Sequence, residues 1–317
     1  MSFLKKFLTV TLSVLFSFFL IEVYLYIDNY RPQYEKYSTN IENFNYTTND
    51  NIELLPLTKN NFIVLGDSFT HAEVCASKKK DFTNILKKRF DEYSVYNLGV
   101  NKGSPIHYIN ILNNLDKSKI NKLLVVLYYN DIDLTYRNCK LYKNLKDKIY
   151  FFPEKCKKIL KIKVDSQNDT MTKKIDNFFE TKLLLWNLFK EVLANTAFFK
   201  DFYNRSGWEK KYQNKRSDEF LAIVNDLKYI KDITQKENIN LTITYFPDVY
   251  YLRKDFPLAK VWENFIFNAK DYNLNIHNPW NFFITNSKKK NMSWSLIDKH
   301  PNCEANKIMA DYLSTIL

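Results

Sequence analysis

The chain has 317 residues, 45% of them hydrophobic and 16% aromatic, with a formal net charge of +12. That is ample apolar material for a packed core, on a length that suits one large domain with additions or two small ones. Cys75, Cys139, Cys156 and Cys303 include no C-x-x-C pair, which argues against a zinc or redox site, and the basic runs Lys78-Lys79-Lys80, Lys157-Lys158 and Lys288-Lys289-Lys290 are scattered.

Scattered lysines read as a solvated surface rather than as a nucleic-acid or anionic-polymer patch. The chain is rich in Asn, Lys, Ile, Tyr and Phe, a bias that reads as coding composition and carries little about function. Glycine is scarce, with only Gly66, Gly99, Gly103 and Gly207. A chain so sparing places glycine where the backbone must turn or approach something closely.

Residues 7 to 27 are almost wholly apolar and follow Lys5 and Lys6. A helix of that length is long enough to cross a bilayer, and the lysines would stay on the cytoplasmic side. No small-x-small site follows, so residues 1–27 read as an uncleaved signal anchor in preference to a cleaved signal peptide. A buried N-terminal helix is the third option. The domain that follows is then expected outside the cytoplasm, periplasmic or at the cell surface. Residues 28–60 are polar and read as a stem, and 61–317 as the globular domain.

Within that domain the pattern alternates. Phe62 to Leu65 is predicted as a strand, Asp81 to Tyr93 as a helix, Ser94 to Leu98 as a strand and Ile106 to Leu115 as a helix. Lys122 to Tyr129 has the continuous apolar character of a central parallel strand covered on both faces. Residues 133–215 are charged and aromatic, with helices expected at 173–203, and read as an insertion. Helix, strand, helix and short strand follow at Phe220–Glu237, Asn240–Phe246, Trp262–Tyr272 and Leu274–His277, before a terminal helix over Asn302–Leu317. Such alternation predicts an α/β fold, a doubly wound, flavodoxin-like parallel sheet with helices on both faces.

Four short stretches fall at the ends of predicted elements: Gly66-Asp67-Ser68-Phe69, Asn97-Leu98-Gly99, Tyr129-Asn130-Asp131 and Asp298-Lys299-His300-Pro301-Asn302. An open α/β sheet carries its chemistry outside the carboxyl ends of its strands. In order and spacing the four blocks resemble the SGNH (GDSL-type) hydrolase superfamily, over roughly residues 60 to 317 with 133 to 215 unaccounted for. The resemblance implies a nucleophile at Ser68, a base at His300 and Asp298 to orient it. It implies an oxyanion hole from the Ser68 and Gly99 amides and the Asn130 side chain. It implies no metal and no cofactor. Acyl transfer needs this set: a nucleophile, a base and donors for the developing oxyanion. Two departures stand out. The acid lies two residues before the histidine rather than three, and Tyr129 takes a place where the family often has glycine.

Each block alone has a plainer reading: an N-cap serine, a loop glycine, an Asx turn, and a capping pair before the last helix. Asp67 is expected to cap local amides rather than to react. His71, one turn after Ser68, is a candidate to line the cleft, whereas His107 and His277 read as structural. Cys139 and Cys156 bracket a short segment and are placed to bridge. Cys75 and Cys303 can do so if the first and last blocks converge, with free buried thiols the alternative.

Jointly the blocks point to a serine esterase or O-acyltransferase, with an ester-bearing glycan of the cell envelope as the expected substrate and no nucleic-acid partner. The alternatives are a catalytically silent glycan-binding or scaffold protein of the same fold, and a lysophospholipase or lipase. Acyl group, acceptor and oligomeric state are not legible in the residues.

Overall fold

The structure, a computed structural model, describes residues 2–28, 36–41, 44–51, 60–165, 214–249, 252, 257–287, 292–295 and 298–317. The helices expected at 173–203, most of the expected insertion and Gly207 lie outside these residues.

Helix α1 (Ser2–Asp28) comes first. Among the described residues no helix is long and apolar enough to cross a membrane. The side chains of residues 1–10, the first part of the expected span, are outside the described set. From Leu12 onward α1 is unusually bare: Leu15, Phe16, Phe19, Tyr26 and Ile27 are each about three-fifths exposed (59, 61, 61, 68 and 67%).

Strands β1 (Tyr37–Ile41) and β2 (Phe44–Thr48) form an antiparallel hairpin. It falls in the stretch read as a stem, yet it packs on the domain. Alternate residues Phe44, Tyr46 and Thr48 of β2 are buried, the period-two pattern of a strand with one covered face. The Tyr46 hydroxyl accepts from the Asn110 amide at 2.9 Å.

The main sheet has five strands: β3 (Asn61–Gly66), β4 (Ser94–Asn97), β5 (Ile120–Leu127), β6 (Asn240–Tyr245) and β7 (Ile276–His277). Their spatial order is β4-β3-β5-β6-β7 and every pairing is parallel. Counting only these five, the order is 2-1-3-4-5, the flavodoxin-like arrangement. β3 is buried at every position, which is why it reads as an unbroken apolar run.

The helices are α2 (Ser68–His71), α3 (Glu73–Ala76), α4 (Phe82–Arg89), α5 (Pro105–Asn114), α6 (Tyr136–Asn144), α7 (Glu154–Asp165), α8 (Asp218–Lys236), α9 (Pro257–Ala269), α10 (Trp280–Asn286) and α11 (Cys303–Leu313). Two apolar cores lie on opposite faces of the sheet. Ile63, Leu65, Leu123 and Val125 point to one, with Ile109, Val224 and Phe265 of α5, α8 and α9. Phe62, Val64, Leu124 and Val126 point to the other, with Leu86 of α4 and Met309 of α11. Each such side chain taken from water contributes about 1.5–3 kcal/mol, so the alternation along β3 and β5 holds helices on both faces.

Two disulfides add covalent ties. Cys139 of α6 pairs with Cys156 of α7, and Cys75 of α3 with Cys303 of α11.

Candidate active site

Ser68 stands at the start of the single turn α2, directly after β3. Asp67 builds that turn: it is the N-cap, and its Oδ1 accepts from the Phe69 amide at 2.9 Å. An N-cap carboxylate meets an otherwise orphaned amide of the first turn. Ala72 closes the turn in the left-handed conformation, φ 47°, with its amide on the Ser68 carbonyl at 3.0 Å. The turn doubles back so tightly that a Cβ on Gly66 would lie 2.0 Å from Thr70 Oγ1 and 2.8 Å from the Val126 carbonyl. A Cβ on Gly99 would lie 2.6 Å from the His71 amide nitrogen. Both glycines are required: the Thr70 side chain of α2 and the backbone of β5 crowd Gly66, and the backbone of α2 crowds Gly99.

The last block arrives from the far end of the chain. The Trp294 amide donates to the His300 carbonyl at 2.7 Å and the Asn302 amide to the Met292 carbonyl at 2.8 Å, a small antiparallel contact anchored by the Ser293–Pro301 bridge. Asn302 then caps α11 through the Glu304 and Ala305 amides, each at 3.0 Å. Held from both sides, His300 reaches Ser68: its Nε2 is 2.9 Å from Ser68 Oγ. Its Nδ1 is 2.6 Å from Asp298 Oδ1, which also accepts from the His300 amide at 3.0 Å. The two-residue spacing therefore reaches. An ionised carboxylate only accepts, so Nδ1 carries the proton and Nε2 is left to accept from the serine hydroxyl. Asp298 is 7% exposed and His300 35%, the carboxylate enclosed and the ring at the rim. Phe69 backs the ring at 5.1 Å between centroids and is itself stacked on Tyr128 at 3.5 Å.

Asn130 sits in a 3-10 turn, Tyr129–Ile132, immediately beyond β5. Asp131 shapes that turn, its Oδ2 accepting from the Tyr128 amide and the Tyr108 hydroxyl, both at 3.1 Å. Asn130 is exposed, and among the described residues its side-chain amide has no hydrogen-bond partner. Gly99 lies two residues beyond the end of β4 (Ser94–Asn97). Its amide donates to Asn97 Oδ1 at 2.9 Å, so a role in binding an oxyanion requires that bond to be shared or exchanged.

Asn97 is the residue that sequence reasoning named within a block but gave no task. It is buried, and its Nδ2 donates to the Thr70 carbonyl at 2.9 Å and to Thr83 Oγ1 at 3.0 Å. It thereby ties the end of β4 to α2 and α4. Its own amide donates to Asp50 Oδ2 at 2.6 Å, and Asn49 Nδ2 donates to the His71 carbonyl at 2.6 Å. Nothing in the polar stretch around Asn49 and Asp50 signals this latch. His71 does not line the cleft. It is 2% exposed, with Nδ1 3.1 Å from the Gly99 carbonyl. His107 is fully buried and kept neutral: burial first, and the charge of Arg137 second, push its pKa down to about 3.

Two buried carboxyls lie behind the serine. Burial pushes Asp67 up from 3.8 to about 6, opposed first by the hydrogen bond from the Phe69 amide. Burial and the charge of Asp67 together push Asp131 well above the usual carboxylate range. Ser68 Oγ is 3.4 Å from Asp67 Oδ2, longer than a well-formed hydroxyl hydrogen bond. The contact that decides the serine's direction is the one to His300.

No protein-family model and no curated protein sequence matches the chain. In structure the chain is distantly similar to several solved proteins. One is an acetyl xylan esterase, AlAXEase (12% identity over 81% of this chain and 99% of the other, TM-score 0.44). Another is the extracellular lipase of Streptomyces rimosus (9%, 81% and 100%, TM-score 0.43). A third is phospholipase A1 of Streptomyces albidoflavus NA297 (9%, 81% and 99%, TM-score 0.41). The likeness is distant, and the chemistry is read from the site's own atoms.

Proposed function

We propose that the protein is a serine ester hydrolase or O-acyltransferase that works through an acyl-enzyme on Ser68. The observation that carries this reading is the unbroken chain from Ser68 Oγ to His300 Nε2, 2.9 Å, and from His300 Nδ1 to Asp298 Oδ1, 2.6 Å. Ser68 Oγ attacks the ester carbonyl while its proton passes to Nε2. Asp298 stabilises the imidazolium that forms. The leaving alcohol takes the proton from Nε2, and the acyl group stays on Oγ. Water then returns the free acid, or a sugar hydroxyl takes the acyl group, with Nε2 again holding the transferred proton. The Asn130 amide and the Ser68 amide are the proposed oxyanion donors, with Gly99 as a third once its bond to Asn97 is shared. One such donor supplies about 3 kcal/mol of barrier lowering.

The proposed setting is outside the cytoplasm, with α1 as a membrane anchor and O-acyl groups of envelope glycans as substrate. The apolar side chains exposed along α1 from Leu12 to Ile27 support the anchor. The two disulfides support an oxidising compartment. A fluorophosphonate probe tests the enzyme reading: labelling is expected in the wild type and absent in Ser68→Ala. Folded protein that takes no label would favour a binding module. Acetate release from acetylated glycans, with and without a free glycan acceptor, separates hydrolysis from transfer.

A further inference from the structure

A cavity of about 570 Å³ opens between the β1–β2 hairpin, the loop after β4 and helix α6. Phe44 and Asn45 of β2 form one wall. Facing them are Asn101 and Lys102 of the loop and Arg137 and Lys140 of α6. Three cations therefore share one recess, and among the described residues no carboxylate lines it. Among the described residues none of the three is ion-paired, so their charge is left for something else. Low-dielectric walls around charges of one sign focus the field into a cleft.

One of the three is fixed by the fold, while Lys102 and Lys140 are exposed. Arg137 is half-buried and donates from Nη1 to the Asn101 carbonyl at 3.3 Å. That bond fixes one edge of the guanidinium and leaves its other N–H groups, in a geometry that matches two oxygens of one anion. Lys102 sits at φ 58° on a turn closed by the Gly103 amide on the Val100 carbonyl at 2.8 Å. The left-handed region costs a non-glycine residue about 1 kcal/mol, and here it sets the lysine on the cavity side of the loop. The loop also leads to the serine. Val100, which lines the recess, donates its amide to the Gly66 carbonyl at 2.8 Å and directly follows Gly99.

We infer that this recess is a subsite for an anionic group, a carboxylate or a phosphodiester, on the glycan whose ester is presented to Ser68. The substrate is then an acidic glycan. The inference rests on the ester-transfer reading of the Ser68 site and adds the substrate class. A recess whose lining residue Val100 bonds the Gly66 carbonyl, two residues before Ser68, suits a polymer that passes the serine. A flat anionic membrane would meet projecting lysines instead.

Direct binding tests it without turnover. Full-length Ser68→Ala protein is titrated calorimetrically with hexagalacturonate, with a glycerol-phosphate oligomer and with neutral xylohexaose. At least one anionic oligomer is expected to bind at least tenfold more tightly than xylohexaose, and the tighter of the two names the anion. Lys102→Gln/Arg137→Gln/Lys140→Gln is expected to lose that preference. Lys88→Gln/Lys236→Gln/Lys307→Gln, three exposed lysines outside the recess, removes the same charge and is expected to keep it. Lys140→Glu alone, at an exposed position, is expected to weaken anion binding at least fivefold and guards against misfolding of the triple variant. Equal affinity for neutral and anionic oligomers overturns the inference. So does equal loss in the control triple variant, or binding only to anionic lipid vesicles. Turnover of 4-nitrophenyl acetate by the wild type, which carries no anionic group, reports on the Ser68 reading separately.

Discussion

Cys75 and Cys303 are bonded across 228 residues of sequence, with their Cα atoms 5.3 Å apart. Cys75 lies seven residues after Ser68 and Cys303 three after His300. The bridge thus ties the two segments that share the Ser68–His300 hydrogen bond, behind the site rather than in it. Loss of the Cys75–Cys303 pair by Ala substitution is expected to lower stability by about 2–4 kcal/mol and ester turnover at least tenfold. The pair Cys139→Ala/Cys156→Ala should lower stability too, with turnover within about threefold. Thermal unfolding and turnover of both double variants check this. Full turnover without Cys75–Cys303 would show that packing alone positions the histidine.

Asp298 holds His300 by its side chain and by its backbone amide together. Asp298→Asn keeps the shape but invites the wrong imidazole tautomer, and kcat is expected to fall by about 10⁴-fold. Ser68→Ala and His300→Ala should fall at least as far. Steady-state turnover with circular dichroism as a fold check decides it. Asp298→Asn activity within tenfold of wild type would mean that another group orients the ring.

Asp67 makes stability depend on pH in an unusual direction for a carboxylate. Its folded pKa, about 6, is above the ordinary 3.8 because burial disfavours the charge. The folded state therefore binds the proton more tightly. The stabilisation is fully present below about 3.8 and is lost as pH rises through about 6. For a fully buried group that difference is on the order of 3 kcal/mol. Asp67→Asn retains an acceptor for the Phe69 amide and cannot ionise. Its melting temperature is expected to gain on wild type progressively between about pH 4 and pH 6.5, then level off. A constant offset across that range would contradict the shifted carboxyl.

Gly99→Ala should be disruptive although glycine's backbone angles there are ordinary. The added carbon would meet the His71 nitrogen at 2.6 Å and the Thr70 carbonyl carbon at 2.9 Å, and backbone does not swing aside. A loss of about 1–3 kcal/mol, read as a lower urea midpoint, is the expected overpacking penalty. An unchanged midpoint would mean that α2 has room to move.

Asn97→Ala removes one amide that serves Gly99, Thr70 and Thr83 at once. Buried groups left without partners cost about 1–3 kcal/mol each. The variant should also lose hydrogen-exchange protection at Gly99. Retained protection there would show that the Gly99 amide finds another acceptor, as an oxyanion role requires.

The two central strands were legible because each holds a continuous apolar run. Phe62–Leu65 lies within β3, and the strand expected over Lys122–Tyr129 is β5 over Ile120–Leu127, which ends two residues earlier where the 3-10 turn of Tyr129 begins. The helices α4, α5, α8 and α11 were legible from apolar spacing, with ends displaced by a few residues, as caps rather than periodicity set them. The hairpin β1–β2 was not, because its buried residues Phe44, Tyr46 and Thr48 sit in a polar, Asn-rich stretch whose partner, α5, lies some sixty residues on. Helix α10 was missed because it has one short turn pair and few periodic positions.

By itself the sequence determined residue types and their order: a serine after the first buried strand, an asparagine after the third, an aspartate and histidine before the last helix. Local chemistry is enough for that, since turns, caps and buried runs are written in neighbouring residues. Only the tertiary structure decided that Ser68 and His300 touch across 232 positions, that the Gly99 amide is taken by Asn97, that His71 turns inward, and that Lys102, Arg137 and Lys140 face one recess. Those are matters of distance between segments far apart in the chain. The packing of two cores against one sheet sets such distances, and no spacing along the sequence does.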